Sequence, residues 1–182
     1  MIIALAGRRV DAPGAAAARF PLDHSAFVKE KIKALFVSLK PNALVASAAC
    51  GADLLALEAA GELGIQRSIV LPFDQQLFRS SSVIDRPGEW GSIYDQVCKQ
   101  AATEEGVQVS DYPQNDDETY RRSNIDIMEK AKALADKYDS TGLAAVIVWD
   151  GKPRDDGDIT DHFRKEARSR GFSIHEVNTL TK

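Results

Sequence analysis

Short, continuous apolar runs recur along this chain, and a helix-length segment separates most of them from the next. The first is Ile2-Ile3-Ala4-Leu5-Ala6, closed by Gly7. Ala43 to Ser47 and Arg67 to Leu71 follow, the latter closed by Pro72. Val107-Gln108-Val109 is a shorter run. Gly142 to Trp149 is the most hydrophobic stretch and ends at Asp150-Gly151, and Phe172 to Val177 is the last. Runs this short that are apolar at successive positions suit strands buried on both faces, the situation of a parallel sheet. Parallel neighbours cannot be joined by a hairpin, so each pair needs a crossover connection. Several intervening segments supply one. A helix capped by Asp23 or Ser25 and running to about Leu39 sets Phe27, Ile32, Leu35, Phe36 and Leu39 on one face. Helices are also expected from Ala52 to Leu63, stopped by Gly64, and from Gly91 to Glu105, Thr119 to Tyr138 and Ile159 to Ser169. Phe73 to Glu89 reads as irregular, with room for a short helix near Gln75–Arg79, while Gln114–Glu118 and Lys152–Asp158 read as polar loops. The expectation is an α/β chain: a Rossmann-like three-layer sandwich with a mostly parallel central sheet, its 182 residues forming a single domain.

The charge balance narrows the partners. Net charge is −4, which argues against a nucleic-acid backbone as the main partner, because such proteins carry a basic stripe; a locally basic pocket is compatible with it. The two cysteines, Cys50 and Cys98, lie far apart in no metal-like spacing, as suits a reducing cytoplasm, and no zinc site or disulfide framework is expected. No apolar stretch approaches the roughly 20 residues that span a bilayer, so no membrane partner is expected. The residues imply no cofactor and no metal.

In an open parallel sheet, ligands bind beyond the carboxyl ends of the strands, near the point where the strand order reverses. That rule selects Gly7-Arg8-Arg9, Ser47–Asp53, Pro72-Phe73-Asp74 and Trp149–Thr160. In the second of these, small residues around Gly51 and Ala52 would let a ligand approach the backbone, and the amides opening the next helix would attract a phosphate. A tight strand–helix turn with Asp53 near the cap explains the same residues without a ligand. An arginine such as Arg8 or Arg9 can fork onto a phosphate or carboxylate, or stay solvated. Asp150, fixed after Trp149, could hold a ribose hydroxyl or a metal; Asp155, Asp156 and Asp158 read as a hydrated loop. Arg86-Pro87-Gly88-Glu89-Trp90-Gly91-Ser92 reads as a turn and helix start, with Glu89 or Trp90 able to cover a ligand. His24, His162 and His175 are scattered and read as structural or exposed, and no Ser/His/Asp or Cys/His order suggests acyl transfer.

Taken in order, Gly7-Arg8-Arg9, Cys50-Gly51-Ala52-Asp53, Val70-Leu71-Pro72-Phe73, Trp149-Asp150-Gly151 and Gly157-Asp158-Ile159-Thr160 resemble the motif set of the SLOG superfamily over nearly the whole chain. These are Rossmann-like domains related to the LOG phosphoribohydrolases and to DNA-processing protein A. The resemblance implies nucleotide or nucleotide-derived ligands, with Gly7, Arg9, Gly51, Asp53, Asp150, Gly157 and Thr160 lining the pocket. The chain departs from the pattern in three places. Arg8 stands where the family has His, Cys50 where it has Glu, and Gly-Asp-Ile-Thr where it has Gly-Gly-Thr. The catalytic Arg and Glu of the phosphoribohydrolase loop are not found after Trp149.

Two functions follow as expectations. The first is binding or sensing of a nucleotide-type phosphorylated small molecule. Gly7, Arg8, Arg9, Ser47, Gly51, Ala52, Asp53, Pro72, Arg79, Trp149, Gly151, Gly157 and Thr160 would bind it, and an effector protein or a homodimer or higher homo-oligomer would pass on the signal. The alternative is a nucleotide N-glycosidase. It would use Glu89 and Asp150 as catalytic carboxylates, with Arg9 or Arg79 anchoring the phosphate. A third reading is a protein-interaction module that would dock through the acidic loop Asp111–Glu118.

Overall fold

The computed structural model describes residues 1–114 and 116–181. Its centre is a six-stranded sheet made of β1 (Ile2–Gly7), β2 (Ala43–Ala46), β3 (Gln66–Leu71), β4 (Val107–Val109), β5 (Leu143–Trp149) and β6 (Ser173–Asn178). The spatial order is β4-β3-β2-β1-β5-β6, and every pairing is parallel. The strands sit where the apolar runs place them. Because side chains alternate across a strand, β1 feeds two cores. Ile3 and Leu5 face one layer, and Ile2 and Ala4 face the other.

The first layer holds α1 (Ser25–Leu39), α2 (Ala52–Glu62) and α4 (Trp90–Ala101). Every residue of α2 from Ala52 to Leu57 is buried, as expected of a helix that is apolar all round and packs against both α1 and α4. The second layer holds α5 (Asp117–Lys137) and α6 (Ile159–Ser169). Here Ile127, Met128, Ala131 and Leu134 of α5 cover Ile2, Ala4, Val45 and Ile147 of the sheet. The chain is therefore an α/β, Rossmann-like three-layer sandwich. No helix is long and apolar enough to cross a membrane among the described residues.

Local chemistry moves several boundaries. The segment expected to be irregular contains α3 (Gln75–Ser82), longer than the short helix anticipated there. Asp74 begins it by accepting the amides of Gln76 and Leu77 at 2.9 and 3.1 Å. In the same way Asp116 caps α5 through the Glu118 amide, so Asp117 and Glu118 are helical rather than loop. Asn115, part of the loop expected at Gln114–Glu118, lies outside the described residues.

The topology fixes the site. From β1 the chain steps outward through β2, β3 and β4; α5 then carries it back across the sheet to β5, on the other side of β1. The order reverses between β1 and β5, so the loops leaving these two strands diverge and leave a crevice between them.

Candidate functional site

Beyond the carboxyl ends of the strands lies a cleft of about 650 Å³. Its floor is apolar and includes Leu5, Ala6, Phe78 and Ile127. Of the residues anticipated from the sequence, Gly7, Arg8, Arg9, Ser47, Asp53, Pro72 and Thr160 line it. Gly7 has no room for a side chain, because a Cβ would overlap Ala52 and come within 2.5 Å of the Val148 carbonyl oxygen. β1 therefore ends flush against β5 and the start of α2.

The Gly51 turn is closed by backbone. Gly51 has φ of +97°, and a Cβ there would lie 2.8 Å from both the Arg8 carbonyl oxygen and the Val10 nitrogen. Backbone, not ligand, occupies the space that the missing side chain leaves. The nearby amides are also largely engaged. Ala49 donates to Asp53 Oδ2 at 3.2 Å, Cys50 to the Ser82 carbonyl at 3.0 Å, and Ala52 to the Arg8 carbonyl at 3.1 Å. The β1 and β2 loops thus touch, and neither Gly51 nor Ala52 lines the cleft. At the start of α6, Asp158 accepts the amides of Thr160 and Asp161 at 2.9 and 3.1 Å. A phosphate in this cleft would have to be held mainly by guanidinium groups.

Five arginines line it: Arg8, Arg9, Arg19, Arg86 and Arg154. Arg8 is buried, and its donors are taken. Nε donates to Asp150 Oδ1 at 3.0 Å, Nη1 to both oxygens of Asp158 at 2.8 and 2.6 Å, and Nη2 to the Lys152 carbonyl at 2.7 Å. Its Cζ also sits 5.7 Å from the Trp149 ring centroid. Arg8 therefore acts as a strut between β1 and the β5–α6 loop. Burial alone would raise the Asp158 carboxyl; the Arg154 amide and the Arg8 guanidinium instead bring it below its usual range.

Arg9, Arg19, Arg86 and Arg154 are more open. Arg9 pairs with Asp85 and donates to Cys50 Sγ at 3.5 Å, while Arg86 approaches the other oxygen of Asp85 at 3.6 Å. Arg19 donates to Asp150 Oδ2 at 2.7 Å. Arg154 lies 3.5 Å from Asp158 Oδ2, with its side chain 56% exposed.

Asp53 is the anomaly of the site. It lines the cleft but is only 7% exposed, and its Oδ1 has no hydrogen-bond partner among the described residues. Burial raises its pKa, against the Ala49 amide and the charge of Arg9, to about 7.

The remaining candidates lie elsewhere. Both oxygens of Asp150 are held, by Arg8 and Arg19, so it is not a free base. Glu89 is exposed at the start of α4, outside the cleft. Arg79 forks onto Asp95 at 2.8 and 2.9 Å, away from the cleft. The Trp149 ring donates to Glu176 Oε2 at 3.0 Å. Gly151 is exposed, and the amide of Gly157 closes on Asp155 at 2.8 Å. None of Gly151, Gly157 and Trp149 lines the cleft. Reading the strand ends alone missed Tyr120, Ser123 and Asn124, which α5 presents to the cleft together with Ile127. Their i, i+3, i+4, i+7 spacing was the available signal: polar residues at core-facing positions of a helix. No cluster of three metal-ligating side chains occurs among the described residues.

No family model matches the chain. No curated protein matches it. Among solved structures it is similar to DNA processing protein A of Streptococcus pneumoniae, at 15% identity and a TM-score of 0.43, across 97% of this chain and 58% of that one. A likeness at that level says nothing of a ligand or a partner.

Proposed function

We propose that the cleft binds a nucleotide or a nucleotide-derived phosphorylated small molecule. One observation carries this reading: an apolar-floored cleft at the reversal of strand order, ringed by arginines in a chain of net negative charge. Its volume lies within the range of small-molecule sites. The apolar floor suits a base, and guanidinium groups suit phosphate. The resemblance of the ordered strand-end motifs to the SLOG superfamily supports the same ligand class.

Binding has more to rest on than N-glycosidic hydrolysis. That reaction needs a free carboxylate beside the sugar, and neither of the two anticipated for it is one: Glu89 lies outside the cleft and Asp150 is held by two arginines.

The test is calorimetry with nucleoside 5′-monophosphates of the four RNA bases, each run beside its unphosphorylated nucleoside. At least one monophosphate should bind and its nucleoside should bind at least tenfold more weakly. Binding of that monophosphate weakens in Arg86→Ala or in Arg154→Ala. Equal affinity for nucleoside and nucleotide, or no binding across the panel, would refute the proposal.

A further inference from the structure

The five cleft arginines fall into two groups on opposite sides of β1. Arg9 and Arg86 lie on the β2/β3 side and share a single carboxylate partner, Asp85. Arg8, Arg19 and Arg154 lie on the β5/β6 side and share two, Asp150 and Asp158. Each group holds one guanidinium more than the carboxylates it pairs with. The strands flanking β1, β2 and β5, stand two strand spacings apart, on the order of 10 Å, and phosphates held by the two groups would lie between them. Each group has a loosely paired member: Arg86, half-buried, on one side and Arg154, exposed, on the other.

From this division we infer that the ligand carries two anionic groups set apart by about the length of a nucleoside, such as a nucleoside 3′,5′-bisphosphate or a short phosphorylated dinucleotide. The inference rests on the nucleotide reading of the same cleft. A monophosphate satisfies one pole and leaves the other with its surplus charge. A pyrophosphate diester, whose two phosphates adjoin, also reaches one pole only. The rest of the acidic lining does not cancel the poles. Asp11 is closed by the amides of Arg19 and Phe20, Asp53 is sunk in the wall, and Asp117 sits in the first turn of α5.

A double-mutant cycle between protein and ligand tests the inference. Affinities of the wild type, Arg86→Ala and Arg154→Ala are measured for nucleoside 5′-monophosphates, 3′-monophosphates and 3′,5′-bisphosphates. Circular dichroism and Tm establish that both variants are folded; both side chains lie on the surface. For the base that binds, the bisphosphate should bind about tenfold or more tighter than either monophosphate. Arg86→Ala should abolish the advantage of one phosphate, and Arg154→Ala that of the other. Bisphosphate and monophosphate of equal affinity, or both variants acting through the same phosphate, would overturn the two-pole inference but leave the nucleotide reading standing. Binding of none of the nucleotides would overturn both.

Discussion

Asp53→Asn probes the least comfortable group in the molecule. The substitution keeps an acceptor for the Ala49 amide and replaces the unpartnered oxygen with an uncharged amide. An aspartate in the unfolded chain titrates near 4, and in the native chain Asp53 titrates at about 7. Between those values the native state holds a proton that the unfolded state has lost. Stability contributed by Asp53 therefore falls as pH rises through this window, and above it the cost stands in full. The rise from 3.8 to about 7 corresponds to roughly 4 kcal/mol. The new amide, buried without a partner, takes back about 1–3 kcal/mol. The variant should then be about 2 kcal/mol more stable than the wild type at pH 8, and its advantage should vanish by pH 4.5. Urea denaturation of both chains across that range measures the difference. Asp158 and Asp161, whose pKa values lie below the usual range, titrate in both proteins and cancel. Two stability curves that run parallel from pH 4.5 to 8 would refute the reasoning. A carboxylate that lowers stability at neutral pH while facing an open cleft fits the trade of stability for binding seen at functional sites.

Other outcomes follow from the same geometry. Arg8→Met leaves Asp158 and Asp150 without their buried partner and should cost about 3–5 kcal/mol, read as a lower urea midpoint with an unchanged slope. Gly51→Ala forces a Cβ against the Arg8 carbonyl at a positive φ; a loss of about 1–3 kcal/mol is expected, and wild-type Tm would contradict the close approach of the two loops. Burial raises the thiols of Cys50 and, to about 11, of Cys98, so neither should react quickly with a disulfide reagent at pH 7.5 in the native chain, while both react on unfolding. Glu89→Gln should leave nucleotide affinity unchanged, since Glu89 lies outside the cleft; a tenfold loss would return it to the site.

Most of the fold was legible because it depends on local patterns. Apolar runs such as Ile2–Ala6 and Gly142–Trp149, alternating with helix-length segments, allow little besides a parallel sheet. The cleft was legible only in part, because what lines it depends on distant pairings. Arg8 and Arg9 are adjacent in sequence and similar in kind. Nothing local says that one is consumed by Asp150 and Asp158, about 140–150 residues onward, while the other stays near the surface. Gly51 allowed two readings for a related reason. A glycine at a strand–helix turn makes room for close approach, and the sequence does not say whether backbone or ligand approaches. The arginines at 19, 86 and 154 come from loops whose paths no periodicity describes.

The central claim is that guanidinium groups of this cleft hold a phosphate. A crystal structure of the chain soaked with the tightest-binding nucleotide of the panel tests it most directly. Density for a phosphate within about 3 Å of the guanidinium nitrogens of Arg9, Arg19, Arg86 or Arg154 is the predicted result. A nucleotide seated elsewhere on the molecule, or one whose phosphate points to solvent with those four arginines untouched, would contradict it.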